Sequence, residues 1–421
     1  MDKFFPLRKK RHLVNVGAFG IAAALGQFMM MLFTFLLARR VGPVSYGFYF
    51  SSFSLLFLTS ILFNNGLDTW LLNQKLNETE LHETYSQIVT VKTIGGIVWA
   101  ALVVVIAPLI RPDVYLRILL LINAVDIWTD AVFMSSLAVL NIQGKVKEYS
   151  ISLILSRTFK LLSLLMLMFL GTEEVIPYAI GRAFISILVA TVALCRLKPR
   201  IIPIRFPALL NKLKSSRFFA LSDFLATIYM QIDITLLNLM VGSFQVGVYS
   251  PASSMINALF VLPTAVHLYT LPLLTRYYYD DPPKFVKFAK NINFLTLILG
   301  LILCLGVYLL GGWLIVRILG TDYEATSRII VVLSPILLMK SLEFGFASII
   351  VAGGAQKKRV MPQIFASFVN VLFNLILIPR FGIVGAAKTY LISESILMLW
   401  YGWIAYATFR NVKCKEVKND S

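Results

Sequence analysis

Cysteine and histidine are scarce, three of each in 421 residues. Cys195, Cys304 and Cys414 are widely separated, and His12, His82 and His267 are scattered. Neither a disulfide framework nor a metal-ligand spacing can be read from them. Charge is scarce as well. Asp, Glu, Lys and Arg make up 14% of the chain, against about a quarter in soluble domains. P-loop, nucleophile-elbow and zinc signatures are missing, so neither an enzyme nor a cofactor is expected. What remains is apolar: 58% of the residues are hydrophobic, with mean hydropathy +0.80. One soluble core of this length cannot hide that much apolar surface. A soluble enzyme, a disordered chain and a fibrous repeat are therefore excluded.

Transmembrane barrels alternate apolar and polar residues over about ten positions, whereas Leu13 to Ala38 is continuously apolar. The expected fold is all-α and integral to the membrane. Twelve spans are expected near 13–38, 45–65, 88–110, 114–141, 149–170, 175–195, 218–240, 247–272, 291–318, 326–352, 360–379 and 383–408. Lys and Arg gather on the cytoplasmic side of a membrane protein. With both termini inside, the inner segments collect Arg8-Lys9-Lys10-Arg11, Lys145, Lys147, the cluster from Arg196 to Arg217, Lys284, Lys287, Lys290, Lys357-Lys358-Arg359 and Lys413 to Lys418. The outer segments hold Arg39, Arg40, Arg111 and Arg380, beside acidic Glu173-Glu174 and Asp322. The formal net charge of +18 is thus accounted for by topology in a cell membrane, and nucleic acid is not an expected partner.

The basic connection 196–217, with Pro199, Pro203 and Pro207, divides the chain. An N-terminal six-helix bundle is expected over 1–195, a second over 218–409 and a basic cytoplasmic tail over 410–421. The two halves share a repeat. Residues 36–54 read LLARRVGPVSYGFYFSSFS and 236–254 read LLNLMVGSFQVGVYSPASS. Gly42 and Gly47 correspond to Gly242 and Gly247, and Tyr49 to Tyr249. Gly144 with Lys147 is echoed more weakly by Gly354 with Lys357. Two like-oriented halves are a transporter pattern, with a site between them.

Ala38-Arg39-Arg40-Val41-Gly42-Pro43 with Tyr46-Gly47 and Tyr49 resembles the first hairpin of Wzx-like polysaccharide-biosynthesis flippases. These belong to the superfamily of multidrug, oligosaccharidyl-lipid and polysaccharide exporters (MOP, with its MATE branch). Gln231-Ile232-Asp233, Leu236-Leu237, Gly242 and Gly247-Val248-Tyr249 look like that family's seventh and eighth spans. The resemblance implies two pseudo-symmetric six-helix bundles around a cavity open alternately to each side. It implies a polyprenyl-pyrophosphate-linked oligosaccharide, such as an O-antigen or other surface-polysaccharide repeat unit, carried from the inner to the outer leaflet. Membrane lipids and glycan polymerase machinery are the further partners implied. Lipid II flippases look like fourteen-span proteins, and one drug-exporter branch carries a coupling carboxylate in its first span, where this chain has no Asp or Glu from Leu13 to Ala38. An antiporter of drugs or other small molecules coupled to H⁺ or Na⁺ is the alternative, and a membrane glycan enzyme the third reading.

Ionisable groups within spans cost several kcal/mol unless paired or hydrated. A diphosphate leaving water calls for cationic donors, Arg above all. Arg157, Lys160, Arg182 and Lys340 are the candidates for it, with Arg39 and Arg40 at the outer mouth. Asp126, Asp130, Asp223, Asp233, Glu343 and Glu394 are the candidates for binding H⁺ or Na⁺. Asp126 and Asp130, four apart, share a helix face and repel unless a cation or water separates them. Lys340 and Glu343, three apart, are placed to pair. Pro263 and Pro335 mark expected bends in spans eight and ten.

Overall fold

A computed structural model describes the backbone of residues 5–74, 76–110, 114–200 and 206–419, and side chains from Gly20 to Arg410 except 75, 107–113, 201–213, 215, 218 and 222. Arg8 to Arg11, His12, Arg111, Arg205, Lys212 and the tail from 411 onward thus lie outside the described side chains. Among the described residues the chain is 93% helix and has no strand.

In chain order the helices are α1 Phe5–Thr59, α2 Ile61–Asn64, α3 Leu67–Leu72, α4 Glu78–Ile110, α5 Val114–Ile142, α6 Val146–Phe169, α7 Val175–Leu197 and α8 Phe206–Met240. There follow α9 Ser243–Leu259, α10 Val261–Asp280, α11 Pro282–Gly306, α12 Gly312–Leu319, α13 Glu324–Leu333, α14 Pro335–Ala352 and α15 Val360–Asn419. Among the described residues ten helical segments are long and apolar enough to cross a membrane, and the chain is a multi-pass membrane protein. Two of the ten, Gly20–Asn64 and Gln356–Arg410, run for 45 and 55 residues. One crossing takes about 20 residues, so each is long enough for two. Each is interrupted by a glycine outside helical geometry: Gly42 at φ +76° and Gly382 at φ +54°. These are the segments in which the sequence sets two expected spans side by side.

Prolines mark the other breaks. Pro263 offers no N–H to Leu259 and its ring crowds that carbonyl. The expected eighth span accordingly divides into α9 and α10 at Phe260. Pro335 stands at the first position of α14, where its fixed φ suits a helix start. The connection expected over 196–217 is partly helical, since α7 runs to Leu197 and α8 starts at Phe206.

The chain forms two compact units: a central unit, Leu32–Gly247, and a terminal unit, Met1–Met31 with Val248–Ser421. The boundary between the expected bundles falls inside the central unit. Within that unit α5 packs against α4, α6 and α7. It is the most buried of the spanning segments, at 56%, and Asn123, Asp126, Ser135 and Ser136 along it are held inside protein. Apolar packing around Phe63, Trp99, Leu116 and Leu120 fixes it, with the Phe63 and Trp99 rings 5.0 Å apart. In the terminal unit α14 takes the corresponding place, against α10, α11 and α15.

The repeat is visible in the backbone. Gly42 and Gly242 both have positive φ, +76° and +118°. Gly47 and Gly247 meet reciprocally within the central unit: a Cβ on Gly47 would strike the Ser243 carbonyl, and one on Gly247 the Pro43 carbonyl. Residues 43 and 243 are themselves counterparts. The fainter echo is a matched helix end. Gly144 and Gly354 have φ +70° and +71°. Lys145 N–H reaches Leu140 O at 2.9 Å and Ala355 N–H reaches Ile350 O at 2.9 Å, the six-to-one bond of a Schellman cap. Alanine is strained at such φ, so Gly144→Ala and Gly354→Ala should each cost about 1 kcal/mol. Equal drops in thermal midpoint are the expected readout, and an unchanged midpoint for either would contradict the matched caps.

Candidate functional site

The site grows from α5. Asp126 and Asp130 stand one turn apart on its buried face, and a cation does separate them: Lys160 of α6. Its Nζ lies 2.8 Å from Asp130 Oδ1 and 3.4 Å from Asp126 Oδ1. Arg182 of α7 brings Nε to 2.9 Å from Asp126 Oδ2 and donates from Nη1 to the Tyr49 hydroxyl at 2.7 Å. Ser186, one turn further along α7, donates to Asp126 Oδ1. The Arg182 guanidinium also lies over the rings of Phe53 and Phe33, 4.7 and 5.5 Å from their centroids. Arg157, three residues before Lys160, completes the set with Nη1 3.5 Å from Asp130 Oδ1.

Three cations face two carboxylates, so the cluster keeps one positive charge. It is graded in depth. The Lys160 and Asp126 side chains are 0% and 1% exposed, whereas Arg157 and Asp130 are 14% and 25% exposed. The longest ion pair in the cluster therefore lies at its open end. A buried ion pair gains little net energy but costs several kcal/mol when one partner is lost. Such a cluster is rigid at Asp126 and Lys160 and exchangeable at Arg157, where a stronger anion can replace Asp130 in the coordination of the guanidinium.

The terminal unit holds a second cluster. Lys340 of α14 lies 2.9 Å from Glu343 Oε2 on its own helix and 2.8 Å from Glu394 Oε1 on α15. This triad carries one negative charge. Nearby on α15, Asn374 donates to Asn370 and Asn370 to Ser393, each at 3.0 Å. His267 of α10 hydrogen-bonds Ser348 of α14 at 2.7 Å.

The remaining candidates lie apart from these clusters. Arg40 donates from Nε to Thr172 O at 2.8 Å and reaches Glu173 at 3.9 Å. Arg39 is exposed. Asp223 accepts from Thr69 at 2.9 Å, and Asp233 accepts from the next backbone N–H, Ile234, at 2.8 Å. Lys388, outside the two candidate sets, stands 5.0 Å from the Phe381 ring centroid.

A third ionic site escaped the sequence reading. Lys92 of α4, fully buried, lies 2.7 Å from Asp68 of α3 and 3.3 Å from the Ala131 carbonyl. Ser135 donates to Asp68 at 2.6 Å. A lysine inside the apolar run 88–110 is the available signal; its partner Asp68, between the spans expected at 45–65 and 88–110, gives none.

Comparison with known proteins follows the fold and the sequence alike. A family model described as "polysaccharide biosynthesis protein" matches residues 36–328. The capsular polysaccharide biosynthesis protein CapF of Staphylococcus aureus is 23% identical over 183 residues, which span 43% of this chain and 46% of CapF. The matched stretch is thus about half the length of that relative. Among solved structures, the lipid II flippase MurJ in an inward closed conformation aligns with TM-score 0.73 at 16% identity, covering 95% of this chain and 90% of that one. The inward-facing conformation of a multidrug resistance MATE family transporter of the MOP superfamily aligns with TM-score 0.71 at 13% identity, covering 91% and 95%.

Proposed function

This chain belongs to the polysaccharide biosynthesis protein family, and from that premise we propose that it carries a polyprenyl-pyrophosphate-linked oligosaccharide from the inner to the outer leaflet by alternating access. The two moving bundles in this reading are 1–195 and 218–409, joined by 196–217, with twelve crossings in all. The observation that carries the proposal is the excess cation of the central unit's cluster, with Arg157 at its open end.

A diphosphate must exchange its water shell for other donors as it enters the membrane. Arg157 offers a planar fork of N–H groups for two phosphate oxygens, and Lys160 and Arg182 supply a fixed positive field behind it. Binding displaces Asp130 from the guanidinium but leaves it on Lys160 at 2.8 Å, so no carboxylate is stranded. Arg39 and Arg40 receive the head group on the outer side. The sugars follow the head group while the prenyl chain stays in lipid. Asp126, Asp130, Asp223, Asp233, Glu343 and Glu394 are the groups that would take up H⁺ or Na⁺ if export is ion-coupled.

The test is Arg157→Gln in cells lacking the native copy. Surface glycan should fall at least tenfold while the protein stays folded and inserted, because Lys160 still neutralises Asp130. Normal glycan display in that variant would remove the anion-site assignment. A second reading, an H⁺- or Na⁺-coupled antiporter of small molecules, is favoured by the acidic triad Lys340–Glu343–Glu394. It requires that overexpression raise drug resistance and that deletion leave surface glycan intact.

A further inference from the structure

Away from the ionic clusters, the terminal unit contains a groove of about 470 Å³ between α11, α14 and α15. Its volume falls among those of small-molecule sites, about 300–1,000 Å³. Lys290 and Asn293 come from α11, Phe346 from α14, and Gly402, Tyr406 and Arg410 from α15. On α15 the lining positions recur at the helical spacing of one face, so the wall is continuous. Gly402 keeps the floor open: a Cβ there would stand 3.3 Å from the Phe346 ring. Phe409 is braced from behind by the buried Phe285, ring centroids 6.0 Å apart, and Phe285 by Tyr278 at 5.4 Å.

The groove has a charged mouth, and below it Phe346, Gly402, Tyr406 and Phe409 make a mostly apolar wall that also carries the Asn293 amide. Lys290 and Arg410 are both exposed. Arg276, Lys284 and Arg328 at the surface of this unit are paired, with Asp280, Asp281 and Glu324; Lys290 and Arg410 differ from the remaining exposed cations in lining one groove together. Among the described residues no carboxylate lies within ion-pair distance of Lys290 or Arg410. From Arg410 to Gly402 the wall descends about 12 Å, at 1.5 Å per residue, into the apolar part of the crossing. The mouth lies at the end of the unit that bears the basic segments, since Gly353, beside Lys357 to Arg359 in sequence, packs against Thr408 and Tyr278.

We propose that this groove seats an anionic phospholipid of the leaflet facing those basic segments. The phosphate lies between Lys290 and Arg410, and the upper part of an acyl chain lies along Tyr406 toward Gly402. Charge complementarity selects the phosphate. The apolar lower wall selects a lipid over a soluble anion, which has nothing to bury there.

Native mass spectrometry of the full-length, delipidated protein tests this. Phosphatidylglycerol should bind at least tenfold more tightly than phosphatidylcholine of the same chains, and a tenfold excess of inorganic phosphate should not displace it. Lys290→Ala with Arg410→Ala should lower phosphatidylglycerol binding about tenfold. Lys357→Ala with Lys358→Ala, at the same end, should leave it unchanged. Gly402→Leu, narrowing the floor with both cations in place, should weaken it severalfold. Equal binding of the two lipids, full retention by the Lys290/Arg410 variant, or equal loss in the Lys357/Lys358 variant would overturn the proposal. Displacement by phosphate would make the groove a soluble-anion site and overturn it as well. The Lys290/Arg410 variant alters exposed side chains only, so its folding is checked by an unchanged elution profile, and the lipid comparison on the unaltered protein stands without any variant.

Discussion

Lys160→Ala is expected to lower stability by about 3–5 kcal/mol, the cost of removing one partner from a buried ionic group. The lysine is wholly buried and is the group closest to Asp130, at 2.8 Å. Arg157, at 3.5 Å, cannot replace it, because its guanidinium lies at the open end of the cluster. Asp126 keeps Arg182 at 2.9 Å and Ser186, so the injury is localised to Asp130. Neutralising that acid should therefore undo most of it: Lys160→Ala with Asp130→Asn is expected to recover more than half of the lost thermal stability in detergent. Lys160→Ala with Asp126→Asn should recover less. Equal rescue by the two asparagines would mean that the carboxylates share the lysine evenly, contrary to the geometry. This pattern also separates folding from transport, which Arg157→Gln probes without disturbing the buried pair.

Gly47→Val and Gly247→Val are expected to cost about 3 kcal/mol each, the upper end for overpacking. What a new side chain meets there is backbone, the carbonyls of Ser243 and Pro43, which cannot rotate away as a side-chain tip can. The two variants attack one contact from opposite sides. Their effects should be alike, and the double variant should cost clearly less than the sum. Gly306→Ala is the control, since that glycine is helical with open space around it and alanine is the better helix former. A large loss in the control, or full additivity in the double variant, would speak against a shared contact.

The spans were legible because continuous apolar runs have one physical solution in a bilayer. A turn at Gly42 and a break between the spans expected at 360–379 and 383–408 are legible in the sequence, yet the helical geometry runs so close to Gly42 and Gly382 that each pair of spans forms one long element. The like-charge problem at Asp126 and Asp130 was legible from their spacing on one helix. Its solution was not, because Lys160 arrives from another helix and only packing sets that distance. The same holds for Glu394, which meets Lys340 across 54 positions of sequence, whereas Glu343 was readable at three. Reading the cations and the acids as separate sets follows from treating each helix alone; in the fold Arg157, Lys160 and Arg182 are partners of Asp126 and Asp130, and Lys340 is the partner of Glu343 and Glu394. Asp68 was missed because its segment, between Gly66 and Asn73, is too short to announce a helix.

The leftover positive charge beside Asp126 and Asp130 has an electrical consequence. A charge inside the bilayer experiences the membrane voltage, about 2.3 kcal/mol per elementary charge for every 100 mV. Whatever fraction of the voltage drop the cluster crosses during one transport cycle, it collects that fraction of the energy, and under the proposed function a bound diphosphate would reverse the sign. Turnover should then respond to depolarising ionophores even where no ion is exchanged. Neutralising Arg157 leaves the unloaded cluster uncharged and should flatten the response of its return step.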